Sequence, residues 1–391
     1  MSGAAGHGVA AGGGARLRVA VVYHVWPHYR EAVMRAMDRS ERVAYDFFGS
    51  GEALEGIRHA DPGVVARFVV SPWRRRAGLL WQPAAVRAAR AGTYDALIFL
   101  ADPHFLSTWA AAISARMRRV PVLFWGHGWL RREGAAKRRF RAVFFKLAQR
   151  MLVYAERARR LGEEAGFPRE RIAVVYNSLD LHAADAAIAR IESGALDTAR
   201  PQAFFADPRR PLIVCTARLT ARCRFDLLVE AAGRLAQQGR PVNVLLVGDG
   251  PERGALAELA TRRGVAVHFF GACYDEEVLA QLIYRSDLTV SPGKIGLTAM
   301  HSLMYGTPAV THGDLDAQMP EVEAIEEGVT GAFFRCGDAA SLADAIEDWF
   351  RRAPARQAVR DAARAAIHAR WNPAVQARII ERAVLEVTGH G

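Results

Sequence analysis

Ser291-Pro292-Gly293-Lys294-Ile295-Gly296-Leu297-Thr298-Ala299-Met300-His301 passes from the end of an apolar run, through a glycine loop, into a helical period. A strand that hands over to a helix through glycines leaves free amides at the helix start, and the helix dipole there favours an anion. Outward from this stretch the same alternation recurs. Short apolar runs occupy 17–23, 43–48, 67–70, 96–100, 120–125, 151–154 and 172–175, then 212–216, 242–247, 265–270, 288–291, 309–311 and 332–334. They are apolar throughout, which suits strands buried on both faces of a parallel sheet. Helical periods such as 226–238, 252–263 and 276–284 lie between them, and a last helix, 373–387, follows Trp371-Asn372-Pro373. The expected fold is α/β with doubly wound sheets.

The totals agree with a chain that buries a core. It has 391 residues, of which 51% are hydrophobic and 24% charged, which excludes a disordered or fibrous protein. That length predicts two domains. The irregular stretch 192–211, with Pro201, Pro208 and Pro211, reads as the linker between a domain at 17–200 and one at 201–371. No apolar run approaches about 18 residues, so no helical membrane span is expected. The Gly/Ala-rich segment 1–16 reads as a flexible tail with no secretory pattern. Cys215, Cys223, Cys273 and Cys336 show neither pairing nor zinc spacing, the usage of reduced thiols in a cytoplasmic protein with no metal site. The formal charge is +11, yet residues 1–150 carry +14 and residues 151–391 carry −3. An anionic substrate or surface is therefore expected at the first half.

Two further segments accompany the opening one. Val247-Gly248-Asp249-Gly250-Pro251-Glu252 is a glycine turn between a strand and a helix, where a ligand could approach the backbone. In 216–226, Arg218, Arg222 and Arg224 place three guanidiniums within seven residues, a match for phosphate oxygens. Lys294 adds a cation, and His301 lies one turn into the helix, in reach of a ligand hydroxyl. Either could equally be an ordinary surface or packing residue.

In this order the three segments resemble the second domain of retaining GT-B-fold glycosyltransferases of the family-4 type. That pattern reads G-R-L-x-x-x-K-G-x-D, then V-G-x-G-P, then S-x-x-E-G-F-G-L with E-A-M-A-x-G-x-P-V. Here Ala217-Arg218-Leu219, Val247 to Pro251, and Gly296-Leu297 with Gly306 and Pro308-Ala309-Val310 match. Asn177-Ser178-Leu179-Asp180, Gly126-His127-Gly128 and Pro320-Glu321 extend the resemblance. Both glutamates of the E-x7-E pair are missing, replaced by Gly293 and His301, and the phosphate-gripping lysine is Cys223.

The resemblance implies two Rossmann-like domains facing a cleft, with 372–391 crossing back to the first domain. It implies a nucleoside-diphosphate sugar as donor, bound by Gly248, Gly250, Pro251, Gly293, Lys294, Ile295, Gly296, Leu297, His301 and Glu321. Arg218 and Arg222 would grip the diphosphate without a metal or other cofactor, and His127 would contact the donor sugar in the cleft. A neutral imidazole accepts a hydrogen bond, so His301 can keep the ribose role of the absent glutamate. His24, Trp26, His28, Arg30 and His104 are expected to wall the acceptor side. The implied reaction transfers a sugar with retention to a saccharide or lipid-linked acceptor of the bacterial cell surface.

Residues 131–150 hold eight basic residues and one acid, with Phe140, Val143, Phe144, Phe145 and Leu147 interleaved. Such a helix suits an anionic membrane surface, so the expected location is cytoplasmic and peripheral to the inner face of the membrane. An amphipathic helix packed on its sheet explains the phenylalanines equally. Competing readings are a GT-B-fold nucleotide-sugar epimerase and a non-catalytic nucleotide-binding subunit of a synthase complex. Nucleic-acid binding is a poor fit, since no reading helix accompanies the basic stretch.

Overall fold

The computed structural model describes residues 16–51, 58–352 and 355–391. The expected tail lies outside them except for Arg16. In the first domain, β1 (Leu17–Val25), β2 (Val43–Ser50) and β3 (Phe68–Val70) precede an antiparallel hairpin, β4 (Arg74–Arg76) and β5 (Leu79–Trp81). Then come β6 (Ala96–Leu100), β7 (Val122–Gly126), β8 (Arg150–Val153) and β9 (Ile172–Val174). Seven of these form one parallel sheet in the order β3-β2-β1-β6-β7-β8-β9.

The second domain repeats the plan with β10 (Leu212–Thr216), β11 (Asn243–Val247), β12 (Ala266–Gly271), β13 (Leu288–Ser291), β14 (Ala309–His312) and β15 (Gly331–Phe334). Its parallel order is β12-β11-β10-β13-β14-β15. Each sheet reverses its winding once, between β1 and β6 and between β10 and β13. Those switch points are where open α/β sheets leave a crevice beyond their strand ends.

The all-apolar strands are buried on both faces, as their composition requires. Val19, Val21, Leu97, Ile98, Leu123 and Phe124 are fully covered in one sheet, and Ile213, Val244, Leu246 and Val290 in the other. Each such side chain contributes roughly 1.5–3 kcal/mol of burial.

The helix Pro373–Thr388 returns to the first domain. Asn372 caps it by accepting from the Val375 amide at 3.0 Å, and proline suits its first position, where an N–H would have no intrahelical partner. Ala377, Ile380, Ala383 and Val384 then pack with Val19, Val21, Met34 and Ile98.

The helix Leu181–Glu192 packs Ala184, Ala187, Ile188 and Ile191 with Ile283, Met300 and Leu303 of the second domain. Its apolar spacing finds a partner across the seam. The stretch 131–150 is not one helix: Ala135–Phe145 is helical, and Arg150 already begins β8. Phe144 and Phe145 are fully buried in the sheet's core, while Phe140 and Val143 are exposed.

Candidate functional site

Three loops interlock at the carboxyl edge of the second sheet. The loop after β10 donates from the Ala217 amide to the Val247 carbonyl at 3.1 Å and from the Leu219 amide to that of Asp249 at 3.0 Å. In return the Glu252 amide reaches the Leu219 carbonyl at 3.2 Å. The Gly293 amide donates to the Cys223 carbonyl at 3.0 Å, and Thr298 Oγ1 to that of Thr216 at 3.1 Å.

The glycines make this approach possible. A Cβ on Gly248 would lie 2.0 Å from the Ala217 carbonyl oxygen, on Gly250 2.3 Å from that of Leu219, and on Gly293 2.1 Å from that of Arg222. On the side where a Cβ would lie, Gly248, Gly250 and Gly293 are packed against the chain's own backbone. Ile295 is also internal, with its side chain fully buried and its amide donating to Gln318 Oε1 at 2.9 Å. Gln318 Nε2 continues to Thr311 Oγ1 at 2.8 Å and the His312 carbonyl at 3.0 Å, so this buried amide holds the loop ahead of the helix.

That helix, Leu297–Met304, starts at Gly296 with no side-chain cap. Around its start Arg218, Arg222 and Lys294 are exposed, and none has an ion-pair partner among the described residues. Arg224, by contrast, is forked onto Asp226 at 2.9–3.2 Å. Pro251 lies exposed at the turn beside them. Three free cations at an uncapped helix start make an anion seat.

From Leu297 an interdomain cavity of about 530 Å³ runs along the helix past His301 to Tyr305. His28, Tyr29, Arg35 and Arg58 of the first domain close its other side. His28, expected on the acceptor side, lines this interdomain cavity. His301 Nε2 lies 3.8 Å from Glu276 Oε1, a carboxylate that no sequence pattern marked. Burial lowers the pKa of His301; Glu276 opposes this and His28 adds to it, so the ring is neutral at pH 7.

A second cavity, about 770 Å³, opens at the first domain's switch point. It brings together His24, Arg30, His104 and His127 with Asp102, Glu133 and Arg141. His127 follows β7, and Gly128 after it has a positive φ of 56° with Val153 packed against it. The His127 ring is exposed to the concave cavity, whose walls desolvate it in part. That desolvation first, then the Arg30 and Arg141 charges, lowers its pKa. A neutral His127 can hydrogen-bond a sugar hydroxyl at pH 7 but has no proton to give as an acid. His24 is likewise lowered by burial, against Asp102. His104 Nδ1 is bonded to Asp102 Oδ1 at 2.8 Å.

Two expected site residues lie elsewhere. Trp26 is core, 1% exposed, with Nε1 donating to the Phe48 carbonyl at 3.0 Å and its ring against Tyr23, Phe47 and Trp125. Glu321 is buried at the interdomain seam, where Oε1 accepts from Asn177 Nδ2 at 2.6 Å and burial raises its pKa. Among the described residues no group of three His, Cys, Asp or Glu side chains is placed to hold a metal ion.

Comparisons with known proteins cover both domains. Residues 198–366 match the family described as Glycosyl transferases group 1, and 42–183 match Glycosyltransferase Family 4. Over 143 residues the chain is 30% identical to a GDP-mannose-dependent alpha-(1-6)-phosphatidylinositol dimannoside mannosyltransferase of Mycobacterium tuberculosis, covering 36% of this chain and 35% of that protein. Over 208 residues it is 32% identical to a D-inositol 3-phosphate glycosyltransferase of Nocardia farcinica, covering 49% and 42%. The matched segments thus span only 35–42% of these curated relatives.

The fold is similar to Anabaena HepE in complex with UDP, with a TM-score of 0.70 at 17% identity over 95% of this chain and 100% of that one. A glycosyltransferase from Rickettsia africae gives 0.69 at 14% identity over 96% and 100%. With each domain matched by its own model on this architecture, the chain belongs to the family-4-like glycosyltransferases of GT-B fold.

Proposed function

We propose that the chain transfers a sugar from a nucleoside-diphosphate sugar to a saccharide or lipid-linked acceptor. The observation that carries this reading is the set of unpaired cations, Arg218, Arg222 and Lys294, at the uncapped start of the helix Leu297–Met304. As the sugar leaves, negative charge grows on the diphosphate, and preorganised donors aimed at that charge are the largest catalytic term available. The nucleoside lies in the interdomain cavity beside His301 and Glu276, and the sugar faces His127 across the cleft. Transfer proceeds with retention and without a metal, as the family resemblance implies. That the Anabaena neighbour was solved with UDP supports a nucleotide donor.

The acceptor reading draws on the charge of the first half and on its exposed apolar residues. Leu79, Trp81, Leu106, Ile113, Met117, Phe140 and Val143 are each 42–81% exposed. Trp109 and Phe140 rings stand 5.7 Å apart, and Leu80 bridges to Phe105, so hairpin and helices share one face. Arg74, Arg75 and Arg76 of the hairpin and Arg138 and Arg139 of the helix Ala135–Phe145 are exposed. We read this as a contact for an anionic membrane surface carrying the acceptor, in cell-surface polysaccharide or glycolipid assembly at the cytoplasmic face.

Calorimetric titration with UDP and GDP, followed by an assay for transfer and donor hydrolysis, tests the proposal. Binding with turnover supports it. Tight binding without hydrolysis or transfer would favour the non-catalytic subunit, and interconversion of free nucleotide sugars would favour an epimerase.

A further inference from the structure

Arg30 ends the short turn His28–Arg30 and lies in the floor of the first-domain cavity, 8% exposed. A guanidinium stays charged at any working pH, so burying one without a counter-ion is costly. Its contacts are neutral. Nη2 donates to the Tyr154 hydroxyl at 2.6 Å, and Cζ stands 5.0 Å from the Tyr154 ring centroid and 5.3 Å from that of Trp125. Nη1 has no hydrogen-bond partner among the described residues. Glu321 feels this charge but is held by Asn177 and forms no ion pair with Arg30.

The rest of the cavity does not supply the missing anion. Arg131 lines it and has no carboxylate partner among the described residues. Lys137 and Arg141 share one carboxylate, Glu133, at 3.1 and 2.7 Å. Asp102 is engaged by His104. Four permanent or near-permanent cations therefore meet two carboxylates in one concave space.

We propose that this cavity seats an anionic oxygen group of the acceptor, a phosphate or carboxylate, with Arg30 on its floor and Arg131, Lys137 and Arg141 on its rim. The proposal rests on the first-domain cavity being the acceptor side. A space of about 770 Å³ accommodates a sugar bearing such a group. Charge-assisted hydrogen bonds from a guanidinium are its strongest available contacts. The same chemistry could reach the cavity as the donor's diphosphate, and the experiment separates the two sources.

The probe is inorganic sulfate, dianionic over the working range, added to the full-length protein. The readout is the imidazole resonance of His127, assigned with His127→Gln. Desolvation, and then the Arg30 and Arg141 charges, hold the His127 pKa down, with Asp102, Glu133, His24 and His104 facing it from the other walls. A bound anion should raise that pKa, saturably, by about one unit or more. Arg30→Gln should weaken the sulfate effect at least tenfold, Arg30→Lys should keep part of it, and Arg218→Ala should leave it unchanged. A wild-type His127 pKa that does not move with sulfate overturns the proposal, whether or not Arg30→Gln folds. With UDP saturating, sulfate should still act. If UDP alone raises the His127 pKa and blocks sulfate, the anion is the donor's and the acceptor assignment falls. Should Arg218→Ala bind UDP like the wild type while sulfate still reaches His127, the donor reading fails and this one stands.

Discussion

Arg218 and His301 divide the donor side between charge and hydroxyl chemistry, and each can be tested alone. Arg218→Ala should weaken UDP or GDP binding at least tenfold, about 1.4 kcal/mol, in calorimetry; unchanged affinity would remove Arg218 from the site. His301→Ala should leave a ligand hydroxyl without its partner, at roughly 1–3 kcal/mol. Restoring the family's glutamate is not the remedy it looks from sequence. His301→Glu would set a second carboxylate beside Glu276, whose oxygen lies 3.8 Å from the present ring, so His301→Gln should bind UDP more tightly than His301→Glu. The sign of the pH effect follows from the lowered pKa. The ring is a neutral acceptor at pH 7 and gains its proton only below its ordinary range, so affinity should fall only at acidic pH, and that fall should be absent in His301→Gln. Wild-type affinity in His301→Ala would make His301 a packing residue. The strand-end loops that carry Arg218, Lys294, Leu297 and His301 were legible in sequence because the motif order marks a strand end. Glu276, Gln318 and the depth of Arg30 were not, because nothing local records which side chains meet across a cleft.

At the scale of elements, the loops after β10, β11 and β13 work as one braid, so their glycines answer to each other before any ligand. Gly293→Ala would drive a Cβ to 2.1 Å from the Arg222 carbonyl, and Gly250→Ala one to 2.3 Å from that of Leu219. Each should destabilise by about 1–3 kcal/mol in urea unfolding. Gly254→Ala, on the helix Arg253–Arg263 with nothing within 4 Å of its Cβ, should instead gain roughly 0.5 kcal/mol. Equal effects at 254 and 293 would refute the braid. The strands were readable almost to the residue, since a run apolar on both faces has few homes outside a parallel sheet. The hairpin of β4 and β5 escaped notice because three arginines hide strand character. The partner of the helix Leu181–Glu192 was not legible, because Ala-Ile spacing says that a helix packs, not on what.

At the scale of the molecule, the domains are joined by polar contacts along one seam. Glu323 accepts from the Glu156 and Arg157 amides at 2.8 and 2.7 Å, and Asn177 donates to Glu321. The cleft opens beyond that seam, and the apolar face of Leu79, Trp81, Ile113 and Phe140 lies on the first domain, near the mouth of its cavity. Phe140 belongs to both the face and the cavity. If that face meets an anionic bilayer, two components should separate. Screening by salt should weaken vesicle binding, because exposed arginines lose their pull beyond a Debye length of about 10 Å at 0.1 M. Trp81→Ser with Leu79→Ser should weaken it at every salt concentration, because each change removes apolar area and leaves the charge intact. Arg74→Ser with Arg75→Ser should flatten the salt dependence, at about 1 kcal/mol per charge removed. Neither pair lies in the core, so melting temperatures should hold within about 2 °C. Cosedimentation with anionic and neutral vesicles measures all of this. Equal partition onto both vesicle types, or retention of binding in both double variants, would place the acceptor's approach somewhere other than this face.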